Sequence, residues 1–257
     1  MKRKVVFLLI ASVVCGAMIY SGSRGRKQNG AVYRVEWPVM GTVAAFQTRN
    51  EADLEKAHEV KAVFAEVERL LNAHNKESEL SKLASFSDYE ILEKCSPFVR
   101  PCYESAFEIE RLSAGAFSPR WRGANTLDLG AIAKGFAVDM AAEKIGKMDA
   151  LIDLGGNLKA LGGEWKVSIE GTDEVFILKE GEACATSAEY YRGKHIKDAR
   201  TGQSVHGSLY SASVIMPTSA MIADALSTVL FIFGREKGEE FIHTNFPSAR
   251  IISIDRK

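Results

Sequence analysis

The chain has few cysteines, and their spacing builds neither a metal site nor a disulfide framework. Its 257 residues include four cysteines, at positions 15, 95, 102 and 184, and no CxxC pair. Cys95 and Cys102 could pair across the turn between them in an oxidising compartment, or they could remain two buried thiols. The sequence therefore indicates neither a small disulfide-rich fold nor a zinc site of the CxxC type.

The chain also lacks net charge, because 33 basic residues balance 33 acidic ones. Lys2, Arg3 and Lys4 lie within the first 23 residues, which contain no acid, so the rest of the chain carries 30 basic residues against 33 acidic ones. A slightly negative body does not attract a phosphate backbone, and we predict no nucleic-acid partner. With 46% apolar residues, a chain of this length can bury a large core in one domain.

Residues 1–23 combine the basic start with an apolar run from Val5 to Tyr20. A run of 16 residues falls between the core of a signal peptide (about 7–15) and a spanning helix (about 17–25). We expect a signal peptide or N-terminal membrane anchor at 1–23, a polar tether at 24–30 and the functional domain at 31–257. Cleavage, anchoring and lipidation at Cys15 stay open. The body is expected in the periplasm or on the extracytoplasmic side of the bacterial cytoplasmic membrane, which the N-terminal segment would contact.

Apolar periodicity predicts a mixture of strands and helices along the rest of the chain. The strands are expected within Tyr33–Thr48, Leu158–Ile169, Glu174–Lys179 and Ser208–Met216, with a further strand before the glycines of Ala150–Gly156. The helices are expected at Glu51–His74, Leu80–Leu83, Pro101–Ser113 and Ser219–Phe233.

The segment Thr126–Asp139 changes period at a glycine. Apolar residues at 127 and 129 alternate as at the end of a strand, and helical spacing begins after Gly130. A helix that starts here leaves backbone N–H groups unpaired, and Lys134 in its first turns makes the helix start suitable for a phosphate. The alternative is a tight turn with a solvated lysine. The segment is not a Walker P-loop, because no Ser or Thr follows the lysine–glycine pair.

The helix predicted at Ser219–Phe233 is apolar nearly all round, which indicates a buried helix, yet Asp224 lies in its middle. A buried carboxylate costs several kcal/mol unless it is paired or bound to a metal. Thr228 lies one turn later, and the two oxygens suit a hard cation such as Mg²⁺. The alternative is an aspartate that accepts from neighbouring backbone and a threonine bonded to the carbonyl of Asp224.

Eight short segments, in this order, resemble the ApbE family of FAD:protein FMN transferases. They are Met40–Thr42, Ser78–Lys82, Gly115–Phe117, Asp128–Gly135, Ile152–Asn157, Ala185–Ser187, His195–Gly202 and Ala223–Thr228. The resemblance implies an α+β fold in a single domain, with a T-fold-like antiparallel sheet packed with helices.

The resemblance also implies an activity. An enzyme of this family uses Mg²⁺ to transfer FMN from its substrate FAD to a Ser or Thr hydroxyl of an acceptor protein, and it releases AMP. The acceptor is expected to belong to an extracytoplasmic electron-transport system. Two alternatives stay open: an FAD pyrophosphatase that gives FMN and AMP, and an FAD-binding protein with little turnover.

By position, the resemblance assigns roles to eleven residues. His195 would be the general base, and Mg²⁺ would be held by the Ala131 carbonyl and the side chains of Asp224 and Thr228. The residues expected to bind FAD are Met40, His74, Ala116, Phe117, Ser118, Asp128 and Lys134. His74 stands where the family usually has Tyr, and Ser118 where it has Asp. Only ten residues separate Phe117 from Asp128, which implies a short form of the family with a reduced cap.

Overall fold

The computed structural model describes residues 31–169, 174–188, 196–205 and 209–255. The predicted signal peptide or anchor, the tether and His195 lie outside these ranges, and the predictions made for them stay predictions. Across the described ranges, none of the helices combines the length and apolar content needed to cross a membrane.

Eleven strands are present in the described ranges. In chain order they are β1 (Tyr33–Val39), β2 (Thr42–Thr48), β3 (Ala150–Leu154), β4 (Asn157–Ala160), β5 (Trp165–Ser168), β6 (Val175–Leu178), β7 (Ala183–Ala188), β8 (Lys197–Asp198), β9 (Gln203–Ser204), β10 (Leu209–Met216) and β11 (Arg250–Asp255). Seven of them form one sheet in the order β1-β2-β3-β4-β7-β10-β11, and every neighbouring pair is antiparallel. The pairs β5–β6 and β8–β9 form separate two-stranded sheets.

A 3₁₀ helix (Glu51–Lys56) and seven α-helices complete the described fold. The helices are α1 (Ala57–Leu71), α2 (Glu79–Leu83), α3 (Asp88–Lys94), α4 (Arg100–Leu112), α5 (Ala133–Ile145), α6 (Ala220–Phe233) and α7 (Arg235–Asn245). Sequence signals explain several ends. Ser87 and Glu90 form a capping box at the start of α3, and Gly234 ends α6 with a φ of 75°.

The large sheet is covered on both faces, because successive strand residues point to opposite sides. In β3, Ile152 contributes to the main core formed with the helices, whereas Leu151 belongs to a second cluster with Trp165 and Leu178 of the β5–β6 hairpin. The α+β fold with an antiparallel sheet packed by helices is therefore confirmed.

Three local predictions differ from the structure. No strand forms around Asp128, although Leu127 and Leu129 are buried. The Asp128 N–H donates instead to the Pro119 carbonyl at 2.8 Å. Leu127 and Leu129 are buried because they pack against the core. The segment does not pair with a neighbouring strand, so it is not a strand itself. The helix expected from Glu51 begins as a 3₁₀ helix, and α1 ends at Leu71, which leaves His74 in a turn.

The three cysteines of the described chain are free and buried, so Cys95 and Cys102 follow the second of the two alternatives. Cys184 lies in β7, and burial raises the pKa of its thiol to about 12. A thiol with so high a pKa is not a nucleophile near neutral pH.

Candidate active site

A cleft of about 530 Å³ opens where the start of α5 and the loop before it meet β7, α6 and the β5–β6 hairpin. Nine of the eleven residues predicted from the resemblance line this cleft, although they come from distant parts of the chain. They are His74, Ala116, Phe117, Ser118, Asp128, Ala131, Lys134, Asp224 and Thr228. The fold therefore brings these nine residues together in one place.

The other two predicted residues are Met40 and His195. Met40 is not among the residues that line the cleft; it lies in the β1–β2 turn with a φ of 50°, and its N–H donates to Glu68 at 3.1 Å. Thr42, two residues later, does line the cleft. His195 is outside the described residues, but its neighbour Ile196 lines the cleft.

Asp224 and Lys134 form an ion pair at the cleft, although they are 90 residues apart in the chain. The ammonium of Lys134 lies 3.2 Å from Oδ1 and 3.3 Å from Oδ2 of Asp224. The aspartate side chain is only 5% exposed and the lysine side chain 20%. The buried carboxylate that the sequence predicted in α6 therefore has a cationic partner within the protein, as a buried charge requires.

Asp224 also accepts a hydrogen bond from the backbone at the start of α5. The Gly135 N–H donates to Oδ2 of Asp224 at 3.0 Å. Ile132 and Ala133 donate their N–H groups to the Leu129 carbonyl. The expectation of several unpaired N–H groups ready for a phosphate is therefore wrong for these three residues. The local sequence could not reveal this, because the acceptor of the Gly135 N–H comes from a distant helix.

Hydroxyl groups from β7 and α6 form a connected cluster next to Asp224. Ser187 lies 2.8 Å from Ser227 and 3.2 Å from Thr228, measured between the hydroxyl oxygens. Ser227 and Thr228 both donate to the backbone carbonyl of Asp224, at 2.9 and 3.4 Å. Both features of the alternative interpretation of this helix are thus present: the carboxylate accepts from backbone, and Thr228 bonds to the Asp224 carbonyl.

An aromatic ring flanked by cations lies on another side of the cleft. The guanidinium carbon of Arg122 is 4.6 Å from the Trp121 ring centroid, and the Lys197 ammonium is 5.2 Å from it. Arg122 also pairs with Asp128 at 2.9 Å. The two carboxylates that line the cleft in the described chain, Asp128 and Asp224, therefore both have a basic partner.

Ser118 is held by groups behind the cleft. Its hydroxyl donates to the Glu110 carboxylate and accepts from the Arg120 N–H at 3.0 Å. Burial raises the pKa of Glu110, although the hydrogen bond from Ser118 acts in the opposite direction. A carboxyl group therefore accepts a hydrogen bond from the residue that stands where the family usually has an aspartate.

The model of the ApbE family matches residues 120–252, which is more than half of the chain. The chain belongs to the ApbE family. The matched range contains α5, most of the large sheet and α6, and therefore both Lys134 and Asp224. The resemblance stated from the eight segments is thereby confirmed.

Relatives of this ApbE chain carry a common name. A "FAD:protein FMN transferase" from Haemophilus influenzae is 24% identical over 315 residues, covering 92% of this chain and 90% of the relative. One from Klebsiella pneumoniae is 36% identical over 129 residues, covering 44% of this chain and 40% of the relative. The first alignment is longer than the 257-residue chain itself, so that relative has segments that this chain lacks.

Solved structures share the fold of this ApbE chain. The flavin transferase ApbE from Vibrio cholerae aligns with a TM-score of 0.72 at 20% identity, covering 89% of this chain and 95% of that one. The apo form of the flavinyl transferase ApbE from Pseudomonas stutzeri aligns with a TM-score of 0.74 at 20% identity, covering 89% and 92%.

The chemistry of the cleft fits a divalent cation that is shared with a phosphate ligand. Within the described ranges, no group of three or more His, Cys, Asp or Glu side chains could hold a metal. The Asp224 carboxylate, the Thr228 hydroxyl and residue Ala131 nevertheless line one cleft. Mg²⁺ is commonly bound through one or two carboxylates together with substrate phosphates and water. The ammonium of Lys134 beside the Asp224 carboxylate indicates that this position favours a cation.

Several cleft residues were not predicted from the sequence. Ser187 lines the cleft and belongs to Ala185–Ser187, one of the eight segments that resemble the family. That resemblance could have identified Ser187 as a candidate site residue. Trp121, Arg122 and Lys197 also line the cleft. Trp121 and Arg122 come from the short stretch between Phe117 and Asp128, where the sequence offered no periodicity, and only the tertiary structure shows that they line the cleft.

Proposed function

We propose that this chain transfers FMN from FAD to a Ser or Thr hydroxyl of an acceptor protein in a Mg²⁺-dependent reaction that releases AMP. The observation that carries the proposal is the convergence of nine residues, assigned by family position, on one cleft. The proposal is further supported by the relatives named FAD:protein FMN transferase, one of which aligns along 90% of its own length.

The proposed reaction breaks the phosphoanhydride bond of FAD and forms a phosphoester bond to the acceptor. The acceptor oxygen forms a bond to the phosphorus of the FMN half of FAD, and the bond from that phosphorus to the bridging oxygen breaks. AMP leaves with the bridging oxygen. The hydroxyl proton passes to the imidazole of His195, whose usual pKa near neutrality suits a general base.

The residues of the cleft support the binding of a pyrophosphate and a planar ring. Lys134, Arg122 and Lys197 bring positive charge that offsets the phosphates. The Trp121 side chain offers an aromatic face to one of the rings of FAD. Asp224, Thr228 and the Ala131 carbonyl would hold Mg²⁺, which when bound polarises the phosphate oxygens and neutralises the charge that develops on them.

The test is to incubate the purified protein with FAD, Mg²⁺ and a candidate acceptor protein, and then to measure the mass of the acceptor. We expect an FMN-sized increase that is lost when EDTA is added or when the target Ser or Thr of the acceptor is replaced by Ala or Val. Release of FMN and AMP without a change in acceptor mass would identify a pyrophosphatase instead. Binding of FAD without either product would overturn enzymatic activity.

We also propose that the protein acts on the extracytoplasmic side of the membrane, held by its N-terminal segment or released after cleavage. The basic start and the apolar run of residues 5–20 support this location. Cell fractionation followed by protease digestion of intact spheroplasts should degrade an anchored protein or find a cleaved one in the periplasm. Full-length protein recovered only from the cytosol would contradict the proposal.

A further inference from the structure

The ammonium of Lys134 occupies a site built from oxygen atoms. It lies 3.2 and 3.3 Å from the two carboxylate oxygens of Asp224 and 3.4 Å from the carbonyl oxygen of Gly130. Carboxylate and carbonyl oxygens are the ligands that hard divalent cations prefer. The lysine therefore fills a position that presents the chemistry of a cation site.

A divalent cation and the Lys134 ammonium compete for the same carboxylate. Asp224 lines the cleft together with Thr228 and Ala131, the other two members of the proposed metal set, whereas the second carboxylate of the cleft in the described residues, Asp128, pairs with Arg122 at 2.9 Å. Two cations on one buried carboxylate would repel each other strongly, because the charges would lie a few ångströms apart away from bulk water. An incoming metal must therefore displace the ammonium from Asp224.

The lysine leaves Asp224 at least cost when its charge finds another partner. Its side chain is 20% exposed and lies in the cleft wall, and a lysine stem has several rotatable bonds. A pyrophosphate in the cleft would offer the displaced ammonium new anionic oxygens. The metal and the nucleotide would then each make binding of the other more favourable, as reciprocal coupling requires.

We propose that Lys134 is an internal counter-ion of Asp224 that a divalent cation displaces, so that Mg²⁺ and the pyrophosphate of the nucleotide bind cooperatively through this exchange. The inference rests on the proposed function, because that function supplies both ligands. It adds a role for Lys134 in the empty cleft: the lysine satisfies the buried carboxylate and holds the metal affinity low until a nucleotide arrives.

The test is a calorimetric titration of Mg²⁺ into the full-length protein in detergent, with and without ADP as a pyrophosphate probe. In the wild type we expect weak Mg²⁺ binding that ADP tightens by about tenfold or more. Lys134→Met removes the competing charge and keeps most of the stem. It should bind Mg²⁺ about tenfold more tightly than the wild type without ADP, and ADP should then tighten it less.

Lys159→Met is the matched control, because it removes the ammonium of another largely buried lysine–aspartate pair, formed with Asp139 at 2.6 Å, and Lys159 does not line the cleft. Its Mg²⁺ affinity without ADP should stay close to that of the wild type. The inference is overturned if Lys134→Met binds Mg²⁺ no more tightly than the wild type, or if Lys159→Met tightens binding as much as Lys134→Met does.

A second measurement uses the unmodified protein and does not depend on the folding of a variant. Amine-reactive labelling followed by mass spectrometry should show that Mg²⁺ increases the labelling of Lys134 relative to Lys147, an exposed lysine that does not line the cleft, and that adding ADP with Mg²⁺ decreases it again. Labelling of Lys134 that Mg²⁺ leaves unchanged overturns the inference. These readouts are independent of turnover: flavin transfer without this exchange would refute the inference alone, and exchange without transfer would refute only the proposed function.

Discussion

The N–H of Gly135 donates to the carboxylate of Asp224 at 3.0 Å, and a side chain at position 135 would prevent this contact. A Cβ atom built there would lie 2.2 Å from the Ala220 carbonyl oxygen and 2.8 Å from the Asp224 Cβ. The absence of a side chain thus lets α5 and α6 approach closely. Because the two helices are so close, Asp224 of α6 lies at the start of α5, beside Lys134.

Gly135→Ala should therefore destabilise the fold and impair the site together. Because the nearest atoms belong to backbone and cannot move aside easily, we expect a loss of about 1–3 kcal/mol in the free energy of unfolding. Chemical denaturation measures it, and FAD cleavage should fall as Asp224 is displaced. Gly130→Ala is the control for stability, since its added Cβ would meet only a side-chain oxygen of Asp128 at 3.0 Å. Equal stability of the two variants would contradict the close contact.

Asp224→Ala should abolish the metal response of turnover while the fold persists. The substitution removes the one anionic ligand of the proposed metal set, and alanine is an excellent helix former. We expect Mg²⁺-dependent FAD cleavage to fall by roughly 10²-fold or more.

Thr228→Val should weaken the Mg²⁺ response more mildly, because a neutral hydroxyl contributes less than a carboxylate. A Mg²⁺ titration of cleavage, with circular dichroism to check folding, gives the result. An Asp224→Ala protein that keeps its metal response would place the metal elsewhere.

Asp153→Asn should stabilise the protein at neutral pH. Burial raises the pKa of Asp153 to about 6, although the Gly156 N–H bonded to it at 3.0 Å acts in the opposite direction. The folded pKa lies above the unfolded value near 4, so the native state binds the proton more tightly. The wild type therefore loses stability as the pH rises from about 4 to about 6, by about 3 kcal/mol at most. The side-chain carbonyl of an asparagine can still accept from the Gly156 N–H, and it removes the negative charge of the buried carboxylate.

The measurement is thermal unfolding of wild type and Asp153→Asn between pH 4 and pH 7. The variant should gain on the wild type as the pH rises through this window, and the two should differ least at pH 4. A difference that is the same at every pH would show that the charge of Asp153 does not control the stability.

His195→Ala should separate binding from chemistry. If the imidazole accepts the proton of the acceptor hydroxyl, the variant should bind FAD nearly as the wild type does and lose transfer by roughly 10²–10⁴-fold. FAD titration gives the affinity, and the mass of the acceptor gives the transfer rate. His243→Ala, in α7, is the matched control and should keep both. An equal loss of FAD binding and transfer would make His195 a ligand contact, and unchanged transfer would remove it from the mechanism.

Much of the local structure could be predicted from the sequence, because helices and buried strands carry their own periodicity. The helices predicted at Glu51–His74, Pro101–Ser113 and Ser219–Phe233 each correspond to a helix of the structure. The helices α3 and α7 and the strands β7, β8, β9 and β11 were missed. Strand β7 (ACATSA) consists of small residues, which carry little periodic signal although its first three positions are buried.

The sequence by itself determined that Asp224 lies in an apolar helix and needs a partner, because helical periodicity and the cost of burying a charge are local facts. Its family position determined which other residues to expect nearby. Only the tertiary structure decided that the partner is Lys134, 90 residues away, and that the Gly135 N–H completes the site. These contacts depend on how closely α5 and α6 approach. That distance is set by a glycine and a backbone carbonyl on different helices, a relation that no local pattern contains.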